Sequence, residues 1–165
     1  MTTNAELYDQ DFVAWTQTTA GLLRAGKWQD VDMEAIAGEI ESLGKRDQRE
    51  LESRLAVMLR HLLKWRYQTE QPTRRPNWQR TIQEQRRRLV RLFMQSPSLR
   101  PALTEVLPEE YAHAREQASY ETHLPEATFP QACPWTAEQI LDARYFPEGV
   151  EEHDSPAEKE SDNGE

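Results

Sequence analysis

Residues 36–65 read IAGEIESLGKRDQRELESRLAVMLRHLLKW, and large apolar side chains recur along this stretch with a helical period. They are Ile36, Ile40, Leu43, Leu51, Leu55, Met58, Leu62 and Trp65. A repeat of about 3.6 residues predicts one long amphipathic helix, and Asp32 is placed to be its N-cap. Gly44 lies inside this helix and costs about 1 kcal/mol relative to alanine, so a bend or a break there stays open.

Two further apolar stripes predict helices on either side of the long helix. The first stripe comprises Tyr8, Phe12, Trp15, Thr19 and Leu22. We place its N-cap near Asp9 and its end at Gly26, because glycine accepts the left-handed conformation that closes a helix. The second stripe comprises Trp78, Ile82, Leu89 and Phe93. This helix follows a proline-interrupted turn at residues 71–77 and stops at Ser96–Pro97.

The last third of the chain is also helical in pattern. Leu99, Leu103 and Leu107 share one helical face. Pro108 then suits the first position of a further helix, which we expect to end near His123. A capping box at Thr136–Gln139, with Trp135 and Ile140 spaced as a hydrophobic staple, predicts a short final helix. No segment alternates as a strand, so we expect an all-α fold: a four- to five-helix bundle with a long central helix.

Length and charge set the expected domain organisation. The chain has 165 residues, a length that favours one helical domain, which we place at residues 1–146. Its net charge is −9. Residues 45–100 carry a net charge of +10, whereas residues 1–44 and 101–146 each carry −6. Residues 147–165 carry −7 and Val150 as their only large apolar side chain. We therefore expect this segment to be a disordered acidic C-terminal tail.

Several classes of protein are disfavoured by what the sequence contains. Residues 1–10 are polar and acidic, unlike a secretory signal, and the most apolar stretch, residues 55–63, is interrupted by Arg60 and His61. Cys133 is the one cysteine, so it cannot form a disulfide within the chain. We expect a cytoplasmic protein that neither spans a membrane nor binds a cofactor.

A series of spaced motifs supports a family resemblance. In order along the chain they are Tyr8-x-x-Asp11-Phe12-x-x-Trp15, Leu22-Leu23-Arg24-Ala25-Gly26, Glu39-Ile40-Glu41-Ser42-Leu43-Gly44, Leu51-x-Ser53-Arg54-Leu55, His61-Leu62-Leu63-Lys64-Trp65, Trp78-x-x-Thr81-Ile82-x-x-Gln85-Arg86, Ser96-Pro97-Ser98-Leu99-Arg100, Glu121-Thr122-x-Leu124-Pro125 and Phe129-Pro130-x-x-Cys133-Pro134. Over about residues 7–148 the chain resembles the bacterial family called domain of unknown function 29. The resemblance implies an all-helical bacterial protein, and it carries over no activity and no functional residue.

Four polar residues are predicted to form a seam between two helices. Asp47, Arg54 and His61 are spaced by seven and fall within the apolar stripe of the long helix. Gln85 falls within the stripe of the next helix, and an antiparallel hairpin places it level with Met58, one turn from both Arg54 and His61. Arg54 then needs a carboxylate such as Glu50 or Glu121. The seam is either a reactive pocket with His61 as acid or base, or an internal network that sets helix register.

Signals for metal and covalent chemistry are weak. Glu110 and His113 form one E-x-x-H pair, but a di-metal bundle needs two such pairs, so we predict an i,i+3 ion pair and no metal site. Cys133 lies between Ala132 and Pro134 and is expected to pack as a small apolar side chain. No P-loop, G-x-S-x-G or H-E-x-x-H motif occurs.

Three arginines share a face of the helix that follows the turn. Arg80, Arg87 and Arg91 form a strip that could track phosphates, although an overall pI of about 5.0 is low for a nucleic-acid binder. The sequence favours a non-enzymatic helical module that binds another protein. One alternative is nucleic-acid binding or processing through the arginine strip, as in a regulatory or toxin–antitoxin protein. A third is a small-molecule hydrolase that uses the polar seam.

Overall fold

The computed structural model describes residues 2–148, and this part of the chain contains six α-helices and no β-strand. The helices are α1 (Asn4–Gln10), α2 (Phe12–Arg24), α3 (Met33–Tyr67), α4 (Arg75–Gln95), α5 (Leu99–Thr122) and α6 (Ala137–Leu141). The predicted all-α fold with a long central helix is confirmed. The predicted acidic tail lies outside the described residues from Gly149 onward.

The long helix α3 is continuous from Met33 to Tyr67, so the chain does not break at Gly44. Its predicted N-cap is also correct, because the Asp32 side chain accepts a hydrogen bond from the Ala35 amide at 3.0 Å. The short helix α6 begins as predicted too. Thr136 and Gln139 form the capping box, and Trp135 and Ile140 are both buried.

The first predicted helix is in fact two helices, and the cap near Asp9 is wrong. Asp11 has extended backbone angles, and its side chain accepts a hydrogen bond from the Ala14 amide at 3.0 Å. This hydrogen bond makes Asp11 the N-cap of α2, two residues after the predicted position. Helix α1 ends just before it, at Gln10. Thr3 and Glu6 form a separate capping box for α1. At the other end of α2, Gly26 has φ +71°, the predicted left-handed closure.

Pro108 does not begin a new helix, which corrects the prediction for the last third of the chain. It lies inside α5, which runs without interruption until His123 takes a left-handed conformation. A proline in a helix interior removes one backbone hydrogen bond and costs about 3 kcal/mol. Leu103 before it and Tyr111 and Ala118 after it are buried on one continuous face. Packing of that face offsets the cost, and the helix continues.

The contacts of the chain divide it into two compact units, Met1–Glu50 and Leu51–Glu165. The N-terminal unit contains α1, α2 and the first half of α3. Asn4 joins these elements: its side-chain amide donates to Thr19 Oγ1 at 2.8 Å, and its Oδ1 accepts from Trp15 Nε1 at 3.2 Å and the Asp32 amide at 3.3 Å. Whether residues 1–146 fold as one cooperative domain stays a prediction.

The C-terminal unit contains the rest of α3 and helices α4, α5 and α6. Its core is apolar and combines side chains from all four helices with Phe129 and Trp135 from the loop before α6. The helical residues buried there include Leu55, Leu59, Leu62, Ile82, Leu89, Leu103, Tyr111, Ala118 and Ile140. Arg86 on α4 is also buried, although it is charged, and its exposed fraction is 2%.

Candidate functional site

Two residues of the predicted polar seam, Arg54 and Gln85, are in contact. Arg54 on α3 donates a hydrogen bond from Nη1 to Gln85 Oε1 on α4 at 3.3 Å, and both side chains are half-buried. The antiparallel pairing of the two helices therefore brings together the two residues that the sequence aligned. Asp47 belongs to the N-terminal unit, whereas Arg54, His61 and Gln85 belong to the C-terminal unit.

His61 bonds within its own helix through Nδ1. This nitrogen lies 2.8 Å from the Val57 carbonyl oxygen, so Nδ1–H donates to that oxygen and is not used across the helix interface. Burial is the largest effect and lowers the pKa of the imidazole, and the hydrogen bond to the Val57 carbonyl opposes it. The charges of Lys64 and Arg60 lower the pKa further, whereas Glu121 raises it, and the net direction is downward. These effects favour the neutral imidazole at neutral pH.

The lowered pKa of His61 predicts a dependence of stability on pH. The unfolded chain protonates this histidine at a higher pH than the folded chain does, so the free energy of unfolding should fall as the pH drops below about 6.5. One proton limits the slope to about 1.4 kcal/mol per pH unit, and partial exposure makes it smaller. Urea unfolding of the native protein and His61→Gln at several pH values measures it, and equal slopes would contradict the prediction.

Glu121, one candidate partner for Arg54, pairs with two other bases. It forms ion pairs with Lys64 and with Arg60 Nη1, the latter at 3.3 Å. Arg60 also donates from Nη1 to Gln117 Oε1 at 2.9 Å. These contacts link α3 to α5 beside His61. All of these side chains are at least partly solvent-exposed, so the cluster contributes little to stability.

The residues considered for metal and covalent chemistry make contacts with their near neighbours along the chain. His113 Nδ1 lies 3.9 Å from Glu110 Oε2, the predicted i,i+3 pair. No group of three or more His, Cys, Asp or Glu side chains among residues 2–148 is arranged to hold a metal ion. The Cys133 thiol lies 3.5 Å from the Trp135 carbonyl oxygen, and burial raises its pKa, which disfavours the nucleophilic thiolate.

The predicted arginine strip lies on the solvent side of α4. Arg80, Arg87 and Arg91 are all exposed. Arg87 Nη2 pairs with Glu84 Oε2 at 2.5 Å, and Arg88 Nε pairs with Glu84 Oε1 at 2.6 Å. One carboxylate thus already partners two bases of this face, and binding of a polyanion to the strip stays a prediction.

An apolar groove, which sequence analysis did not find, lies in the N-terminal unit between α2 and the first half of α3. Its volume is about 510 Å³. Its α2 wall includes Phe12, Trp15, Thr19 and Leu23, and its α3 wall includes Ile36, Ile40 and Leu43, with Glu39 and Arg46 among the lining residues. Ile40 and Leu43 belong to the apolar stripe of α3, yet they are 64% and 54% exposed, and Phe12 is 48% exposed.

Aromatic packing gives this groove a firm floor. Trp15 is only 3% exposed, and its ring stacks with Phe12 at a centroid distance of 5.5 Å. Tyr8 packs edge-on against Trp15 at 4.8 Å, and the Tyr8 hydroxyl donates to Glu39 Oε1 at 2.6 Å. The periodicity did reveal the apolar face of α3 here. It could not reveal that this face is left uncovered, because coverage depends on distant residues.

Within residues 2–148, the helices are too short or too polar to cross a bilayer. A family model described as domain of unknown function DUF29 matches residues 7–146. No curated protein and no solved structure matches the chain.

Proposed function

The chain belongs to the DUF29 family, and from its structure we propose that it is a cytoplasmic, non-enzymatic module that binds a basic amphipathic helix of a partner protein. The helix would lie in the apolar groove between α2 and the first half of α3. The proposal extends the function favoured by the sequence, a helical protein-interaction module, by naming the surface and the chemistry of the partner.

The observation that carries the proposal is the exposed apolar wall of the groove. Phe12, Ile40 and Leu43 each leave about half or more of their surface in water. Covering a large apolar side chain contributes about 1.5–3 kcal/mol, so a partner that covers all three gains a substantial part of its binding free energy. Apolar surface concentrated in one groove is typical of a binding site rather than of a solvated helix face.

The geometry of the wall favours a helical partner. Ile36, Ile40 and Leu43 are spaced i, i+4 and i+7 along α3, so they form one ridge beside the floor provided by Trp15. A helix with apolar residues at the same spacing can pack against such a ridge, which is the helix-in-groove mode of recognition.

Charge determines which helix fits best. Residues 1–50, which form the N-terminal unit, carry a net charge of −5, whereas Glu39 and Arg46 in the groove lining balance each other, so the acidic character comes from the unit as a whole. Lysines or arginines on the flanks of the partner helix would therefore be attracted, and acidic flanks would be repelled. The partner we propose is apolar on one face and basic on both sides of that face.

A designed peptide tests the proposal directly. The probe is a fluorescein-labelled helix with leucines at i, i+4 and i+7 and flanking lysines, and the comparison peptide has glutamates in place of the lysines. Fluorescence anisotropy should show binding of the lysine peptide and much weaker binding of the glutamate peptide. Ile40→Glu should raise the Kd by about tenfold or more, because it places a charge in the apolar contact.

Met94→Glu is the matched control, since Met94 is an apolar side chain on α4 that is 79% exposed and does not line the groove. It should leave the Kd of the lysine peptide nearly unchanged. Equal weakening by both substitutions, or equal binding of both peptides, would contradict the proposal. So would sedimentation of the native protein as a dimer that Ile40→Glu dissociates, because a second copy would then occupy the groove.

A further inference from the structure

Arg86 lies in the C-terminal unit, and its surroundings are unusual for a charged residue. Its exposed fraction is 2%, and Nε donates to the Ile140 carbonyl oxygen at 2.7 Å. Nη2 lies 3.4 Å from the Gln139 carbonyl oxygen. Both acceptors belong to the last turn of α6, whose carbonyls have no partner within the helix. Arg86 thus caps the C-terminal end of α6, and its side chain is buried in that position.

The charge of Arg86 is incompletely compensated by the described residues. Among residues 2–148 its guanidinium forms no ion pair, and Nη1 is buried without a hydrogen-bond acceptor. The Phe146 ring lies 5.2 Å from the guanidinium carbon, and the charge of Asp142 acts on it only at longer range. Burial accordingly lowers the pKa of Arg86. A buried cation without a counter-ion costs several kcal/mol, so an anion would be bound favourably here.

A cavity of about 540 Å³ adjoins this arginine. It is lined by Gln83, Arg86, Arg87, Val90, Leu141 and Ala143. Gln83, Arg86 and Arg87 contribute polar side chains to this lining, and Val90, Leu141 and Ala143 contribute apolar ones. The cavity therefore combines cationic and apolar groups.

We propose that this cavity binds a small organic carboxylate with an apolar body. Nε and one hydrogen of Nη2 are used by the α6 carbonyls, which leaves three of the five N–H donors of the guanidinium for a ligand. A carboxylate matches the Nη1–Nη2 edge of a guanidinium with two parallel hydrogen bonds. Because Nη1 is buried in the free protein, the ligand reaches this edge when the side chains that cover it move. The hydrocarbon part would pack against Val90, Leu141 and Ala143. Arg87 also lines the cavity, but it is already paired with Glu84, so Arg86 supplies the charge that the ligand needs.

This inference is independent of the proposed helix-binding groove, because the two sites share no residue and lie in different units. Hexanoate is a suitable probe of the carboxylate site. Hexanol has the same number of carbon atoms without the charge, and inorganic phosphate has charge without a hydrocarbon chain. Nuclear magnetic resonance of the arginine Nε–H groups in the full chain reports on Arg86 itself.

We expect hexanoate to shift the Arg86 Nε–H resonance in a saturable titration, and hexanol and phosphate to bind at least about tenfold more weakly. Val90→Glu places a negative charge in the cavity wall, where like charges repel strongly, and should raise the Kd for hexanoate by about tenfold or more. Met94→Glu, one helical turn further along α4 and outside the cavity, adds the same charge and should preserve binding.

Three results would overturn the proposal. The first is the absence of any saturable shift of the Arg86 Nε–H resonance on adding hexanoate. The second is equal binding of hexanol, which would show that the guanidinium takes no part. The third is an equal loss of hexanoate binding in Val90→Glu and Met94→Glu, which would show a general effect of charge on α4. The amide spectrum of each variant reports whether its fold is retained. If Val90→Glu does not fold, Ala143→Glu replaces it as the charged substitution in the cavity wall, because Ala143 is exposed.

Discussion

Leu62→Ala should lower the free energy of unfolding by about 3–5 kcal/mol, whereas Leu43→Ala should change it by less than about 0.5 kcal/mol. The two leucines lie on the same helix, α3, and in the same apolar stripe of the sequence. Leu62 is fully buried in the C-terminal core, so its truncation leaves a cavity. Leu43 is 54% exposed in the groove, so its truncation removes surface that water already contacts.

Thermal and urea unfolding measure both effects. A loss of about 3–5 kcal/mol should lower the Tm of Leu62→Ala by about 10 °C. The Tm of Leu43→Ala should stay within about 2 °C of the native value, because a change below about 0.5 kcal/mol shifts the Tm by no more than that. A large loss of stability in Leu43→Ala would mean that this side chain is covered in the free protein. The apolar wall would then be unavailable to a partner, and the proposed groove would be wrong.

Asn4→Ala should destabilise the N-terminal unit by about 2–4 kcal/mol, because it leaves buried polar groups without partners. Asn4 Nδ2 and Oδ1 are the partners of Thr19 Oγ1 and Trp15 Nε1, and Thr19 and Trp15 are 4% and 3% exposed. Asn4 Oδ1 also accepts from the Asp32 amide at the start of α3. Loss of one side chain therefore loosens three elements together.

Hydrogen exchange measured by mass spectrometry separates the units. Peptides from α1 and α2 should lose protection in Asn4→Ala, and binding of the lysine peptide should weaken with them. Asn77→Ala is the matched control, since Asn77 is exposed on α4. If peptides from α4 and α5 lose protection equally, the two units unfold together as the single domain expected for residues 1–146. Unchanged protection throughout would contradict the role given to Asn4.

Local sequence signals predicted most helix ends correctly. Asp32, Gly26 and the Thr136–Gln139 capping box act through hydrogen bonds or backbone conformations that span three or four residues. Such interactions are complete within a few positions of the chain, so the sequence alone determines them. The cap of α2 was predicted near Asp9 but is Asp11, because both residue positions carry a side chain suited to a cap and only the hydrogen bond to the Ala14 amide distinguishes them.

Pairing between elements was predictable only where two periodic patterns constrained it. Arg54 and Gln85 meet because both lie within apolar stripes of helices that pair antiparallel. The same reasoning could not assign Glu121, which lies far along the chain on α5 and pairs with Arg60 and Lys64. Pro108 shows the opposite limit, since its local preference to begin a helix is outweighed by the buried face of α5.

The sequence by itself therefore determined that the chain is helical, where most of its helices begin and end, and which face of each is apolar. Only the tertiary structure decided which apolar faces are covered and which buried charges find partners. Ile40 and Leu62 belong to one stripe, yet one is exposed and the other is buried. Arg86 lies in an arginine-rich segment, yet it alone among the described arginines is buried. The physical reason is that burial is a property of contacts between distant residues, whereas helix formation depends on neighbours along the chain.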